Sequence, residues 1–187
     1  MKLTGKKVAI LATDGFEEVE LTRPLTELES AGAKVHIVSP NGGSIKSWNE
    51  DDWGESFQVD QALDEAKVTN FDLLVLPGGQ INPDKLRTND EAMQFIKDFH
   101  SAGKPIGAIC HAPWLLIESG LAEGIKLTSF KSIQTDLKNA GANWVDQSVV
   151  IDKNIVTSRN PDDLDDFCQM LIDVTAKQRE AATKGVS

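Results

Sequence analysis

Apolar residues in this chain gather into short unbroken runs, separated by stretches with helical spacing. Val8 to Ala12 is the first such run. An apolar run without alternation marks a strand buried on both faces. The loop from Thr13 to Phe16 follows. A helix is then predicted to about Ala31, with Leu21, Leu25 and Leu28 on one face and Gly32 as its stop. Lys34 to Ser39 reads as the second strand and Pro40 to Gly43 as a turn. Residues 44 to 60, with Trp48 and Trp53, read as a short β excursion at an edge. Asp72 to Leu76 is a third buried strand that ends in Pro77-Gly78-Gly79. Asn82-Pro83 starts a short helix, and a longer one covers about Asp90 to Ala102. Ile106 to Ile109 form the fourth strand, and a helix follows from Pro113. Short strands are expected near 144 to 151 and 154 to 158. Asn160-Pro161-Asp162-Asp163 caps a last helix reaching about Gln178, and residues 179–187 read as a frayed tail after a domain spanning residues 1–178.

Strands alternating with helices predict an α/β fold, a mostly parallel sheet with helices on both faces. Sites in such sheets form beyond the carboxyl ends of the strands. Three loops meet that condition: Asp14 to Glu20, Pro77 to Gln80, and Cys110 to Ala112.

Composition narrows the function classes. The chain has 187 residues, 40% of them hydrophobic, and 19 basic against 29 acidic residues give a net charge of -10. Nucleic-acid backbones and anionic membranes are therefore poor partners. The N-terminal apolar run is too short for a signal peptide, and no stretch is long enough to span a bilayer. Two cysteines, Cys110 and Cys168, make a disulfide framework unexpected, and a reducing cytoplasm fits. Three histidines, His36, His100 and His111, do not combine with the cysteines into a metal-ligand spacing, so no metal is expected. Glycine-rich nucleotide-binding loops are missing from the sequence, and no cofactor is expected.

The chemistry centres on Cys110. It sits at the tip of an abrupt strand-to-helix turn, where a side chain is pushed out of the sheet as in a nucleophile elbow. Such an elbow needs small residues on either side, and Ala108 and Ala112 supply them. The N–H groups and positive end of the new helix are expected to favour thiolate and to lower the thiol pKa. Glu17, Glu18 and Glu20 follow the first strand; helix-dipole charge is the favoured reading for Glu17 and Glu18, one carboxyl beside the thiol is the sharper one, and spacing does not choose among the three. Gly78 and Gly79 permit a tight turn and also offer N–H groups to an oxyanion. Adjacent side chains diverge, so His111 reaches Cys110 only if the turn is sharp; it is either a base or a structural residue. Cys168 follows the apolar face of the last helix and reads as core. The tryptophans read as packing or interface residues, with Trp114 as a possible pocket wall.

The segments Asp14 to Leu21, Leu76 to Gly79, Ala108 to Pro113, Asn143 to Asp146 and Val156 to Leu164 together resemble the PfpI branch of the DJ-1/PfpI superfamily, over about residues 6 to 176. The resemblance implies a flavodoxin-like three-layer αβα sandwich, shared with class I glutamine amidotransferase domains. It implies a reactive cysteine at Cys110, a partner glutamate at Glu20 and a histidine at His111. In some members an acid from a neighbouring subunit completes a triad, and Asp84, one methylene shorter than the usual glutamate, takes that position here. No histidine follows His111, which disfavours glutamine amidotransferase activity. The resemblance further implies a homo-oligomer, dimer or hexamer, and a set of activities: intracellular cysteine peptidase, protein deglycase or glyoxalase, general stress protein. The leading expectation is a stress-response hydrolase that acts, without cofactor, on glyoxal or methylglyoxal adducts, either small aldehydes or glycated protein. Cys110 attacks carbon, Glu20 and His111 move protons, and the N–H groups of Gly79 and His111 hold the oxygen. Peptide hydrolysis, a redox-responsive role with little turnover and a chaperone role are the alternatives.

Overall fold

The computed structural model describes residues 1–184. A seven-stranded sheet forms its centre. In chain order the elements are β1 (Lys7–Leu11), α1 (Glu18–Ser30), β2 (Lys34–Ser39), β3 (Ser44–Asn49), β4 (Asp52–Gln58), β5 (Gln61–Ala62), β6 (Leu73–Leu76), α2 (Ile81–Leu86), α3 (Asp90–Ser101), β7 (Ile106–Ile109), α4 (Pro113–Glu118), β8 (Lys126–Leu127), α5 (Gln134–Asn139), β9 (Asn143–Trp144), β10 (Val149–Asp152), β11 (Ile155–Ser158) and α6 (Leu164–Lys184). The sheet order is β10-β11-β7-β6-β1-β2-β5, parallel except for the antiparallel edge strand β10.

The apolar runs explain the layering. Ala9 and Leu11 of β1, Leu74 and Leu76 of β6, and Ile106 and Ala108 of β7 enter one buried cluster, with Phe95 and Phe99 of α3 and Leu115 and Leu116 of α4. Val8 and Ile10, Leu73 and Val75, and Ile109 enter the other, with Leu21 and Leu28 of α1 and Phe167 and Leu171 of α6. Successive strand residues point to opposite faces, so a continuous apolar run supplies both cores at once. The result is the expected three-layer, flavodoxin-like αβα sandwich.

Three expectations are corrected. The β excursion is a separate antiparallel hairpin, β3–β4, off the central sheet. It sits over the loop after β1, through Trp48 N–H to the Phe16 carbonyl at 2.7 Å and Gly15 N–H to the Lys46 carbonyl at 2.8 Å. The stretch near 144 to 151 is split: β9 pairs with β8 in a small parallel sheet, and only β10 joins the main one. Finally, α6 continues to Lys184, past Gln178, because nothing in that sequence breaks a helix. Of the expected frayed tail, residues 185–187 lie outside the described residues.

Candidate active site

The carboxyl ends of β1, β6 and β7 are neighbours in the sheet, so the loops that follow them meet. Cys110 leaves β7 with φ +65°. That left-handed conformation is costly for a residue with a Cβ and is held here by its surroundings. The Cys110 N–H donates to the Ser158 carbonyl at 3.1 Å, and the Cys110 carbonyl accepts from Phe130 N–H at 2.8 Å. The sharp turn resolves the difficulty with His111: its Nδ1 lies 3.2 Å from Cys110 Sγ despite the adjacency in sequence.

Glu20 emerges as the carboxyl beside the thiol. It is fully buried in the first turn of α1. Its Oε2 accepts the Gly78 N–H at 2.8 Å, and Oε1 is buried without a partner. A Cβ on Gly78 would lie 2.5 Å from Glu20 Oε2 and 2.7 Å from Cys110 Cβ, so glycine is what lets the two acids approach. The Gly78 N–H is thereby occupied. It anchors Glu20 and is not free for an oxyanion, which corrects the role expected for Gly78. The N–H groups of Gly79 and His111 do point at the sulfur. Gly79 needs its φ of +74°, and a Cβ there would meet the Gly15 carbonyl oxygen at 2.6 Å.

Burial pushes the Glu20 carboxyl up to about 8, against the downward pull of its hydrogen bonds to Cys110 and Gly78. Burial also pushes the Cys110 thiol well up, and the Glu20 carboxylate adds to this; the Gly79 and His111 N–H groups pull it down. The expected lowering by the helix end is therefore overturned. Helix α4 has only six residues, and a 6% exposed thiol loses more by desolvation than a short dipole returns. Two acids in contact in a dry site carry at most one charge between them. With the proton on Glu20, the repulsion of the sulfur disappears and the carboxyl becomes a donor to it.

Burial lowers the His111 pKa, so the imidazole is neutral near pH 7. Its ring stacks on Phe130 with centroids 4.8 Å apart and meets Trp114 edge-on. Nε2 lies 3.1 Å from Ser132 Oγ. A hydrogen on Nε2 donated to Ser132 leaves Nδ1 as the acceptor facing the thiol. Asp84 makes no hydrogen bond to His111 among the described residues. It lies on α2 and lines a separate groove of about 500 Å³ with His111, Trp114 and Ser132.

A cavity of about 480 Å³ opens onto Cys110, lined by Glu17, Glu20, Trp48, Glu50, His111 and Phe130 among others. The hairpin supplies Trp48 and Glu50. Glu18 holds the hairpin in place, accepting from Ser47 Oγ at 2.6 Å and Glu55 N–H at 3.0 Å, so it has a structural role. Asn82, read from sequence only as a helix start, is fully buried. It accepts from Thr13 N–H at 2.8 Å and donates to the Pro77 carbonyl at 2.9 Å, joining the loops after β1 and β6. Cys168 is buried in α6, apart from this cavity. No group of residues suited to hold a metal occurs among the described residues.

A family model described as the DJ-1/PfpI family matches residues 6–174. The chain belongs to the DJ-1/PfpI family. It is 45% identical over 165 residues to protein/nucleic acid deglycase 2 of Escherichia coli, covering 87% of this chain and 94% of that protein. It is 43% identical over 163 residues, with the same coverages, to YraA of Bacillus subtilis, whose name makes it a candidate cysteine protease. Among solved structures, DJ-1beta of Drosophila melanogaster superposes with a TM-score of 0.83 at 30% identity, covering 97% of both chains. As a DJ-1/PfpI protein the chain has no helix long and apolar enough to cross a membrane among its described residues.

Proposed function

We propose that this DJ-1/PfpI protein is a cysteine-dependent hydrolase of glyoxal-type adducts, a deglycase or cofactor-free glyoxalase. The observation that carries the reading is the strained Cys110 turn, which puts one thiol between the buried Glu20 carboxyl and the His111 imidazole. Relatives named as deglycases support it.

With methylglyoxal, the thiol passes its proton to His111 Nδ1 as Sγ bonds to the aldehyde carbon. The carbonyl electron pair moves onto oxygen, which the Gly79 and His111 N–H groups stabilise. That oxygen takes its proton from Glu20. The Glu20 carboxylate then removes the hydrogen of the former aldehyde carbon while the former ketone oxygen takes the proton held by His111; Glu20 returns its proton to the former ketone carbon as the aldehyde-derived hydroxyl gives its own to His111. The product is a lactoyl thioester. Water hydrolyses it, returning the thiol and lactate, so methylglyoxal plus water gives lactate with no external oxidant. With a glycated amine, Sγ displaces the protonated amine from the adduct carbon and the paths converge. Ser132, and not a carboxylate, holds His111 Nε2 within the chain, which weighs against a peptidase triad. The family reading also carries a homo-oligomer, a dimer or hexamer, checked by light scattering.

The test is turnover of methylglyoxal and of a methylglyoxal-treated peptide by the reduced protein beside Cys110→Ser. Lactate formation by the wild type alone is the expected result. Equal rates in both proteins, or none, would refute the reading.

A further inference from the structure

Behind the loops that carry Glu20 and Gly79 lies one fully buried amide, Asn82 of α2. Its Oδ1 accepts from Thr13 N–H at 2.8 Å. Its Nδ2 donates to the Pro77 carbonyl at 2.9 Å and to the Gly78 carbonyl at 3.3 Å. The pattern requires one acceptor facing a donor and two hydrogens facing two acceptors, which an amide supplies. An ionised aspartate would turn a second oxygen on both carbonyls. An apolar residue of the same size would take a partner from all three backbone groups.

In a trans peptide the carbonyl and the following N–H point to opposite sides of the chain, and both peptides here are trans. Carbonyls drawn towards Asn82 therefore turn two N–H groups the other way. The Pro77 carbonyl is paired in this sense with Gly78 N–H, which meets Glu20 Oε2 at 2.8 Å. The Gly78 carbonyl is paired with Gly79 N–H, which faces the Cys110 sulfur. Successive N–H groups on one side make a concavity that favours negative charge. Glycine on both sides leaves the Gly78–Gly79 peptide freer to flip than one flanked by side chains. A flip would place the Gly78 carbonyl oxygen where the donor now stands, against both a thiolate and an oxyanion.

We infer that Asn82 is a positioning residue of this site: its amide holds the Pro77–Gly78 and Gly78–Gly79 peptides in the orientation that presents Gly78 N–H to Glu20 and Gly79 N–H to the Cys110 sulfur and the oxyanion. This inference deepens the hydrolase reading and takes its reaction from it. Asn82 acts on the reacting atoms only through these two peptide planes. The Thr13 N–H orients the amide in turn, so the loop after β1 sets the donors that the loop after β6 presents.

The test compares Asn82→Ala and Asn82→Ser, both uncharged, with the wild type, each checked by thermal melt to be folded at the assay temperature. Two readouts separate positioning from support of the fold. The first needs no turnover: the rate at which methyl methanethiosulfonate modifies Cys110 near pH 7, followed by peptide mass. Loss of the Gly79 donor should leave about a tenth of the thiolate at a given pH. A more basic thiolate is the stronger nucleophile and returns part of that, so the rate should fall about threefold. The second is methylglyoxal turnover. Its kcat should fall about a hundredfold, as for loss of one oxyanion donor, with KM changed less than about threefold. Folded variants with wild-type values of both would overturn the assignment, and so would a loss confined to KM. Failure of both variants to fold would also overturn it, making Asn82 a residue of the fold alone. A slowed thiol in the variants without turnover by the wild type would leave the positioning role standing and remove the hydrolase reading; turnover that the variants keep, with the thiol rate unchanged, would do the reverse.

Discussion

Glu20→Gln should stabilise the fold at alkaline pH while removing activity. Glu20 is fully buried, and its carboxyl holds its proton to about 8 against an ordinary value of 4.5. The unfolded chain releases that proton as pH rises through 4.5, whereas the folded chain releases it only near 8. Between these values the folded state binds more protons, so the contribution of Glu20 to stability is complete below the lower value and is lost as pH rises through the upper one. At about 1.4 kcal/mol per pKa unit, the loss between about pH 5 and 8.5 has a ceiling of about 4 kcal/mol. Glutamine does not titrate and keeps an oxygen for the Gly78 N–H. Urea unfolding of both proteins across this range, at fixed salt and with reductant, checks the claim. The protein with Glu20 should lose at least about 2 kcal/mol more than Glu20→Gln, since half the ceiling survives generous relaxation of the site. Both measurements are made in a Cys110→Ser background, which removes the one thiol whose titration is coupled to Glu20; the remaining titrating groups are common to both proteins and cancel in the difference. Parallel stability curves would refute a buried, protonated Glu20.

Three further outcomes follow from the same geometry. Ser132→Ala should lower kcat about tenfold and shift the acid limb of the pH profile, because His111 Nε2 loses its partner; Ser132→Thr should restore both. Gly79→Ala should destabilise by about 2 kcal/mol or more in a thermal melt and abolish turnover, since the added Cβ strikes backbone at a positive φ. Cys168→Ser should keep the activity and cost about 1 kcal/mol of stability, because burial pushes that thiol up to about 12 and leaves it unreactive.

The layering was legible in the sequence because Val8 to Ala12, Leu73 to Leu76 and Ile106 to Ile109 feed both cores. The elbow was legible because few residue types fit around so tight a turn. Three features were not. Ser132 reaches the site from a short turn after β8 (Lys131–Ile133), and nothing in Lys131-Ser132-Ile133 signals a histidine partner. The hairpin reads as an edge excursion, since the carboxylates that hold it, Glu17 and Glu18, belong to another element. The direction of the Cys110 pKa depends on how deeply the thiol is buried and on its distance from Glu20, which local sequence does not contain. Choosing Glu20 from its acidic neighbours required the resemblance; the structure then supplied the reason, the N–H of Gly78.

The most direct measurement is intact-mass analysis of the protein quenched in acid during reaction with methylglyoxal, with the modified peptide mapped and then treated with hydroxylamine, which releases a lactoyl thioester as lactohydroxamate and so separates it from the isomeric hemithioacetal. The account predicts one lactoyl unit on Cys110, formed and lost at the rate of turnover and missing in Cys110→Ser. An adduct found only on Cys168 or on lysines, or a Cys110 adduct that persists through turnover, would contradict it.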